Sequence, residues 1–144
     1  MLNLNSQQTA QDLEQFIKTT VIKQGFKKLV IGVSGGIDSA TSLVLATKAL
    51  GAQNVHALSL PYGNRTINHE PSTMNHQVID IQPMVDSLKL PTNSTGGTDL
   101  VELKMRKGNI MARVRMIILY DYAKKHNALV CGTENRSEYF LGYY

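Results

Sequence analysis

Apolar side chains change their spacing several times along the chain. Over 7–24 they fall at Leu13, Phe16, Ile17, Val21 and Ile22 with polar residues between. That spacing predicts an amphipathic helix with Ser6 as its N-cap and Gly25 as its stop. The run 29–33, Leu-Val-Ile-Gly-Val, is continuous and too short for a helix, the mark of a strand buried on both faces. Residues 40–50 predict the next helix, ended by Gly51. A second strand over 55–60 runs into the turn cluster Pro61-Tyr62-Gly63-Asn64. The polar stretch 65–77 sustains no period. Beyond it the pattern predicts a third strand over 78–81 and a short helix over 83–89 with Pro83 near its first turn. A flexible loop over 91–98, a long helix over 109–126 and a fourth strand over 128–132 follow. Residues 132–138 lead into a last helical stretch, and the chain contains no internal repeat or low-complexity tract.

Strands alternating with helices predict the α/β class, a doubly wound parallel sheet with right-handed crossovers. In such sheets the ligand lies beyond the carboxyl ends of the strands, where strand order reverses. A strand order of 3-2-1-4 places that point between the first and fourth strands. Segments 34–39 and 133–138, far apart in sequence, would then border one crevice.

The first of these segments has the composition of a phosphate trap. Ser34-Gly35-Gly36-Ile37-Asp38-Ser39 leaves a strand and opens a helix. Two glycines let the backbone turn tightly and bring bare N–H groups to an anion. The helix N-terminus adds unpaired N–H groups and partial positive charge. Ser34 and Ser39 are expected to add hydroxyl donors. No Gly-Lys-Ser/Thr follows, so this is not the Walker loop. Asp38 would repel phosphate unless a cation lay between, which points to Mg²⁺ bridging it to polyphosphate oxygens. The string SGGIDSA is similar to the signature loop of the ATP pyrophosphatase (PP-loop) group, which splits ATP to AMP and pyrophosphate.

Bulk properties narrow the partners. The 144 residues, 42% hydrophobic and 18% charged, describe one soluble globular domain. No apolar stretch approaches the ~20 residues needed to span a bilayer. The polar start, Met1 to Ala10, lacks a secretory apolar region, so a cytoplasmic location without membrane partners is expected. The net charge of +4 suits anionic small molecules, and no basic tail or RNA-binding signature argues for nucleic acid. Cys131, the only cysteine, lies in an apolar run and reads as a small core residue. His56, His69, His76 and His126 lack metal-ligand spacing and read as surface or loop residues. On charge alone Lys104, Arg106, Lys107, Arg113 and Arg115 read as a solvated helix face.

Three blocks together resemble one PP-loop family, NAD synthetase. They are GVSGGIDSA (32–40), GNIMARVRMIILY (108–120) and GTENRSEYFLG (132–142). The resemblance implies an adenine-nucleotide hydrolase-like fold and ATP-dependent amidation of deamido-NAD⁺ to NAD⁺ through an acyl-adenylate. It implies that Gly32, Val33, Ser34, Gly35, Gly36, Ile37, Asp38 and Ser39 form the ATP phosphate loop, with Thr133 a further ATP contact. It implies Asp38 and Glu138 as Mg²⁺ ligands and Arg113 as a contact to deamido-NAD⁺; it names no catalytic residue. The family's helix corresponding to 109–126 lies at a homodimer contact, so Met111, Met116, Ile117 and Ile118 are expected in the core or against a second copy. Without the resemblance, Glu138 reads equally as a first-turn glutamate, Thr133 as a cap and Arg113 as a solvated charge.

The chain also departs from that family. Between the second and third strands the family carries a crossover helix with an Asp-Ala pair, whereas segment 61–77 is shorter and aperiodic. The chain finishes on Leu141-Gly142-Tyr143-Tyr144, apolar and aromatic, where ends are normally polar. These residues are therefore expected to form the N-terminal part of a single longer catalytic domain. Exposed apolar surface, dimerisation or aggregation, and little NAD⁺ synthesis by these residues alone are expected with it. Glutamine-using members of that family carry a large upstream amidase domain with its own cysteine. The residues before Ser34 are few and include none, so the resemblance implies free ammonia as the donor unless a separate protein supplies it. The rival functions are another PP-loop amidating or thiolating enzyme, GMP-synthetase-like or tRNA-modifying, and a nucleotide-binding module without turnover.

Overall fold

A computed structural model of the chain describes residues 5–63, 75–88 and 100–141. Helix α1 (Ser6–Lys23) leads to strand β1 (Lys28–Gly32) and helix α2 (Ile37–Leu50). A short 3-10 turn (Ala52–Asn54) precedes β2 (Val55–Ser59), and β3 (Asn75–Val78) is followed by α3 (Gln82–Ser87). Then come α4 (Leu100–His126), β4 (Ala128–Cys131) and α5 (Arg136–Leu141). All strand pairs are parallel and the order is β3-β2-β1-β4, as the alternation of elements led us to expect.

The sheet has a core on each face. Leu29, Ile31, Val55 and Ala57 pack against Val21 of α1 and Leu43 and Ala46 of α2. Val30 and Leu58 point the other way, onto Val85 of α3 and Val114, Tyr122 and Ala123 of α4. Successive strand side chains alternate between faces, so a strand covered on both sides must be apolar throughout. That explains the unbroken run in β1, where Val30 and Ile31 are fully buried. Burying a side chain of that size contributes about 1.5–3 kcal/mol.

Several boundaries differ from the sequence expectation. β3 begins at Asn75, not Val78. It is an edge strand held by backbone pairing to β2, so its side chains need not be apolar, and Val78 itself is exposed. The apolar Ile79 and Ile81 follow the strand, their N–H groups still reaching Ser59 and Pro61 carbonyls at 2.9 Å. α4 begins at Leu100, nine residues before the expected start, because it runs straight through Gly108. A helix-interior glycine costs only about 1 kcal/mol, too little to stop a helix of 27 residues. α2 opens at Ile37 instead of 40, so Asp38 and Ser39 are already helical. Asn5, not Ser6, caps α1, its Oδ1 accepting from the Gln8 N–H at 3.2 Å. The short helix expected over 83–89 spans Gln82–Ser87. The loop expected over 91–98 and most of the aperiodic stretch 65–77 lie outside the described residues, as does His69.

The other histidines are not the surface residues expected. His56 is buried in β2, its ring 5.6 Å from that of Tyr122 and 4.7 Å from that of His126. His76 in β3 meets the buried Ser59 hydroxyl at 2.9 Å. Neither ring nitrogen of His56 has a hydrogen-bond partner. Burial first, then the charges of His126 and Lys28, hold its pKa below the ordinary value. The unfolded chain therefore keeps a proton on His56, below about pH 6.5, that the folded chain refuses. Stability should be level above that pH and fall as pH drops below it, by at most about 1.4 kcal/mol per unit. Denaturant melts at pH 7.5 and 5.5 check this, and His56→Phe should lose that part of the slope. An identical slope in the variant would locate the titration elsewhere.

Candidate functional site

β1 and β4 pair with Ile31 opposite Cys131, so their carboxyl ends finish level and the loops that follow leave the same edge. From β1 the chain runs through Val33, buried in the α1/α2 core with its N–H on the Leu58 carbonyl at 2.8 Å. Gly32 packs closely: a Cβ there would stand 3.3 Å from the Leu119 side chain of α4. Gly35 has φ of +83°, a conformation costly for any residue with a side chain. Gly36 then serves as the N-cap of α2, and no side chain caps the helix there. The opening N–H groups of α2 thus face outward at the positive end of a 14-residue helix.

The loop is braced from within by serine hydroxyls. Ser39 is buried, and its hydroxyl donates to the Gly36 carbonyl at 3.1 Å while accepting from the Ser34 N–H at 3.2 Å. Ser34 Oγ accepts from the Gly36 N–H at 3.3 Å and lies 3.2 Å from Ser39 Oγ. The sequence leads one to expect both serines to offer hydroxyls to an anion. Ser39 instead spends its proton on the loop, while Ser34, exposed, remains at the rim. Ile37 and Asp38 are exposed there as well.

The second loop meets the first through Asn135. Its side-chain amide lies 3.5 Å from Asp38 Oδ2. Its Oδ1 accepts from the Glu138 N–H at 3.0 Å, and its own N–H donates to Glu138 Oε2 at 2.8 Å. This reciprocal pair is a capping box that starts α5. Glu138 is therefore a first-turn glutamate, and the cap also holds it beside the residue that reaches Asp38. Asn135 was overlooked in the sequence, although Asn three residues before Glu is the signal of such a box. Thr133 lies in the same loop, half-buried.

Two carboxylates linked through one residue, Asn135, are a sparse donor set. Among the described residues no group of three or more His, Cys, Asp or Glu side chains gathers to hold a metal. Mg²⁺ fits such a set, since it is commonly held by one or two carboxylates together with substrate phosphates and water. Arg113 stands apart from this edge pair. It is exposed on α4, and its guanidinium reaches back to Asn109 on its own helix, 3.4 Å from the carbonyl oxygen. It shares one face of α4 with the exposed Met116, Ile117 and Tyr120. Of the other apolar residues considered for packing, Met111 and Ile118 face the core. Cys131 packs against the α1/α2 core, where burial, then the Glu134 charge, raises its thiol pKa.

Comparison with known proteins agrees with this arrangement. The family model for NAD synthase matches residues 9–144. The chain belongs to the NAD synthase family. It is 39% identical to the NH(3)-dependent NAD(+) synthetase of Fusobacterium nucleatum, over 99% of this chain and 55% of that protein. Among solved structures it resembles the NH3-dependent NAD synthetase from Campylobacter jejuni, with a TM-score of 0.80 and 33% identity over 98% of this chain and 62% of that one. It also resembles the NMN synthetase from Francisella tularensis, with a TM-score of 0.79 and 32% identity over 99% of this chain and 60% of that one. The chain spans about half the length of the curated relatives it matches. No described helix is long and apolar enough to cross a membrane.

Proposed function

We propose that the chain carries the ATP site of an ammonia-dependent NAD synthetase, which amidates deamido-NAD⁺ with release of AMP and pyrophosphate. The observation that supports this most is the meeting of the phosphate loop and the 132–138 loop at one sheet edge, with Asp38 and Glu138 linked through Asn135. The outward N–H groups of the first turn of α2, set by the turn at Gly35, would hold the polyphosphate and stabilise charge on the departing pyrophosphate. Asp38 and Glu138 would hold Mg²⁺, which neutralises phosphate charge when bound. Gly32, Val33 and Ser39 shape the loop, Ser34, Gly36 and Ile37 complete its rim, and Thr133 adds a contact from the other loop. In the reaction a carboxylate oxygen bonds to the α-phosphorus as the bond to pyrophosphate breaks. Ammonia then adds to the acyl carbon, AMP leaves with that oxygen, and the surplus proton passes to solvent. Arg113, on the exposed face of α4, would contact the dinucleotide, and a second copy of the chain would cover the neighbouring Met116, Ile117 and Tyr120.

The similarity to an NMN synthetase favours one second reading, in which the acceptor is a mononucleotide. Incubation with ATP, Mg²⁺, ammonia and either nicotinate nucleotide separates the two. Turnover by this chain alone is expected to be slight, and what there is should release AMP and pyrophosphate in equal amounts, with amide formed from deamido-NAD⁺ in preference to the mononucleotide. Release of ADP and phosphate, or ATP consumption indifferent to either nucleotide, would contradict the proposal.

A further inference from the structure

α4 is far longer than the sheet it crosses. Its 27 residues span roughly 40 Å at 1.5 Å each, whereas a strand of five residues covers about 17 Å. Tyr122 and Leu119 lie on the sheet, Tyr122 beside His56 and Leu119 against Gly32. The residues before Val114 therefore overhang the carboxyl edge, where α3 and the loop after β2 are their neighbours. Two cations of α4 fasten this overhang. Arg115 Nε donates to the Leu60 carbonyl at 2.9 Å, at the point where β2 ends. Lys107 Nζ reaches the Tyr62 hydroxyl, lies 3.2 Å from Asp86 Oδ1 of α3, and stands 4.3 Å from the centre of the Tyr62 ring. Tyr62 in turn donates to Asp86 at 2.6 Å.

The placement of these cations is specific. Lys107, Met111 and Val114 follow helical spacing along the face that packs inward, and Ile110 and Met111 touch the core beside Tyr62. A position that would continue an apolar stripe carries a lysine where the helix leaves the sheet. Tyr62 first, then Asp86, raises the Lys107 pKa, and the Tyr62 hydrogen bond chiefly lowers that of Asp86, so the pair stays charged at neutral pH. Arg113 lies between Lys107 and Arg115 in sequence, yet on the opposite, exposed side of the helix.

We propose that Arg115 and Lys107 are positioning residues: by fastening the overhanging half of α4 to the end of β2 and to α3, they set the place from which Arg113 meets the dinucleotide. This rests on the function proposed above. The contacts described for both residues are to Leu60, Tyr62 and Asp86 of the protein itself, so on this inference each acts through Arg113.

Calorimetry with MgATP and, separately, deamido-NAD⁺ tests it on the wild type, Lys107→Met, Arg115→Met, Arg113→Ala and the Lys107→Met/Arg113→Ala double variant. We expect Lys107→Met and Arg115→Met each to weaken deamido-NAD⁺ binding by about three- to tenfold with MgATP affinity unchanged. Lys107→Arg should restore most of it. In the Arg113→Ala background Lys107→Met should change nothing further, because residues that act through one contact are not additive. Independent losses that multiply in the double variant, or an equal fall in MgATP affinity, would overturn the inference. Tyr62→Phe and Asp86→Asn, which remove one partner each and leave the lysine, should reproduce the effect if Lys107→Met unfolds the chain. Dinucleotide binding weakened by Arg113→Ala and indifferent to all the brace variants overturns this inference alone. MgATP binding without any deamido-NAD⁺ binding by the wild type overturns the proposed function, and this inference with it.

Discussion

Asp38→Asn is expected to weaken MgATP binding by about a hundredfold while leaving affinity for metal-free ATP within a few-fold, since losing even an outer partner of a metal ligand typically costs 10–100-fold. The side chain is exposed, and its described contact is the long one to Asn135 at 3.5 Å. Its favourable place in the first turn of α2 is worth at most about 1 kcal/mol, so the fold should survive. Titration calorimetry with and without Mg²⁺, beside a thermal melt, separates the two effects. Equal affinity for ATP and MgATP in the wild type would remove the metal from the site altogether.

Gly35→Val should be as damaging for a different reason. At φ of +83° a β-branched residue is strained, and about 1–2 kcal/mol is lost unless the turn opens. Opening the turn breaks the serine bracing, because the Ser34 N–H, Ser39 Oγ and the Gly36 carbonyl depend on that geometry. The outward N–H groups then lose their common direction. We expect ATP affinity to fall by more than about tenfold with or without Mg²⁺, a pattern that distinguishes loss of the cradle from loss of the metal ligand. Unchanged affinity would mean that the turn does not shape the site.

Much of this was legible before any coordinates. β1 and β2, buried on both faces, had to be continuous apolar runs, and strict alternation of strands with helices left few topologies. The phosphate loop could be read because its glycines, its aspartate and its position between strand and helix all point to the same chemistry. Most of what could not be read was decided by contacts distant in sequence. β3 was misplaced because an edge strand pairs through its backbone, which leaves Asn75, His76 and Gln77 free to be polar. The start of α4 lies earlier than expected because a helix interior tolerates one glycine, here Gly108. Ser39 turned inward because its hydroxyl closes back on its own loop at Gly36, whereas Lys107 and Arg115 left the solvated face assigned to them because their partners Tyr62, Asp86 and Leu60 lie far off in the chain. His56 could not be placed inside until Tyr122 and His126 were known to cover it.

Amide chemical-shift mapping with MgATP tests the central claim most directly, and a chain of 144 residues is well within its reach. The account predicts that the amides of 34–39 and of 133–138 shift together and saturate with one affinity. Those at the opposite edge, around Lys28, His126 and Asn127, should stay in place. Shifts confined to one loop, or centred on the His56–His126 edge, would contradict a shared nucleotide crevice between β1 and β4.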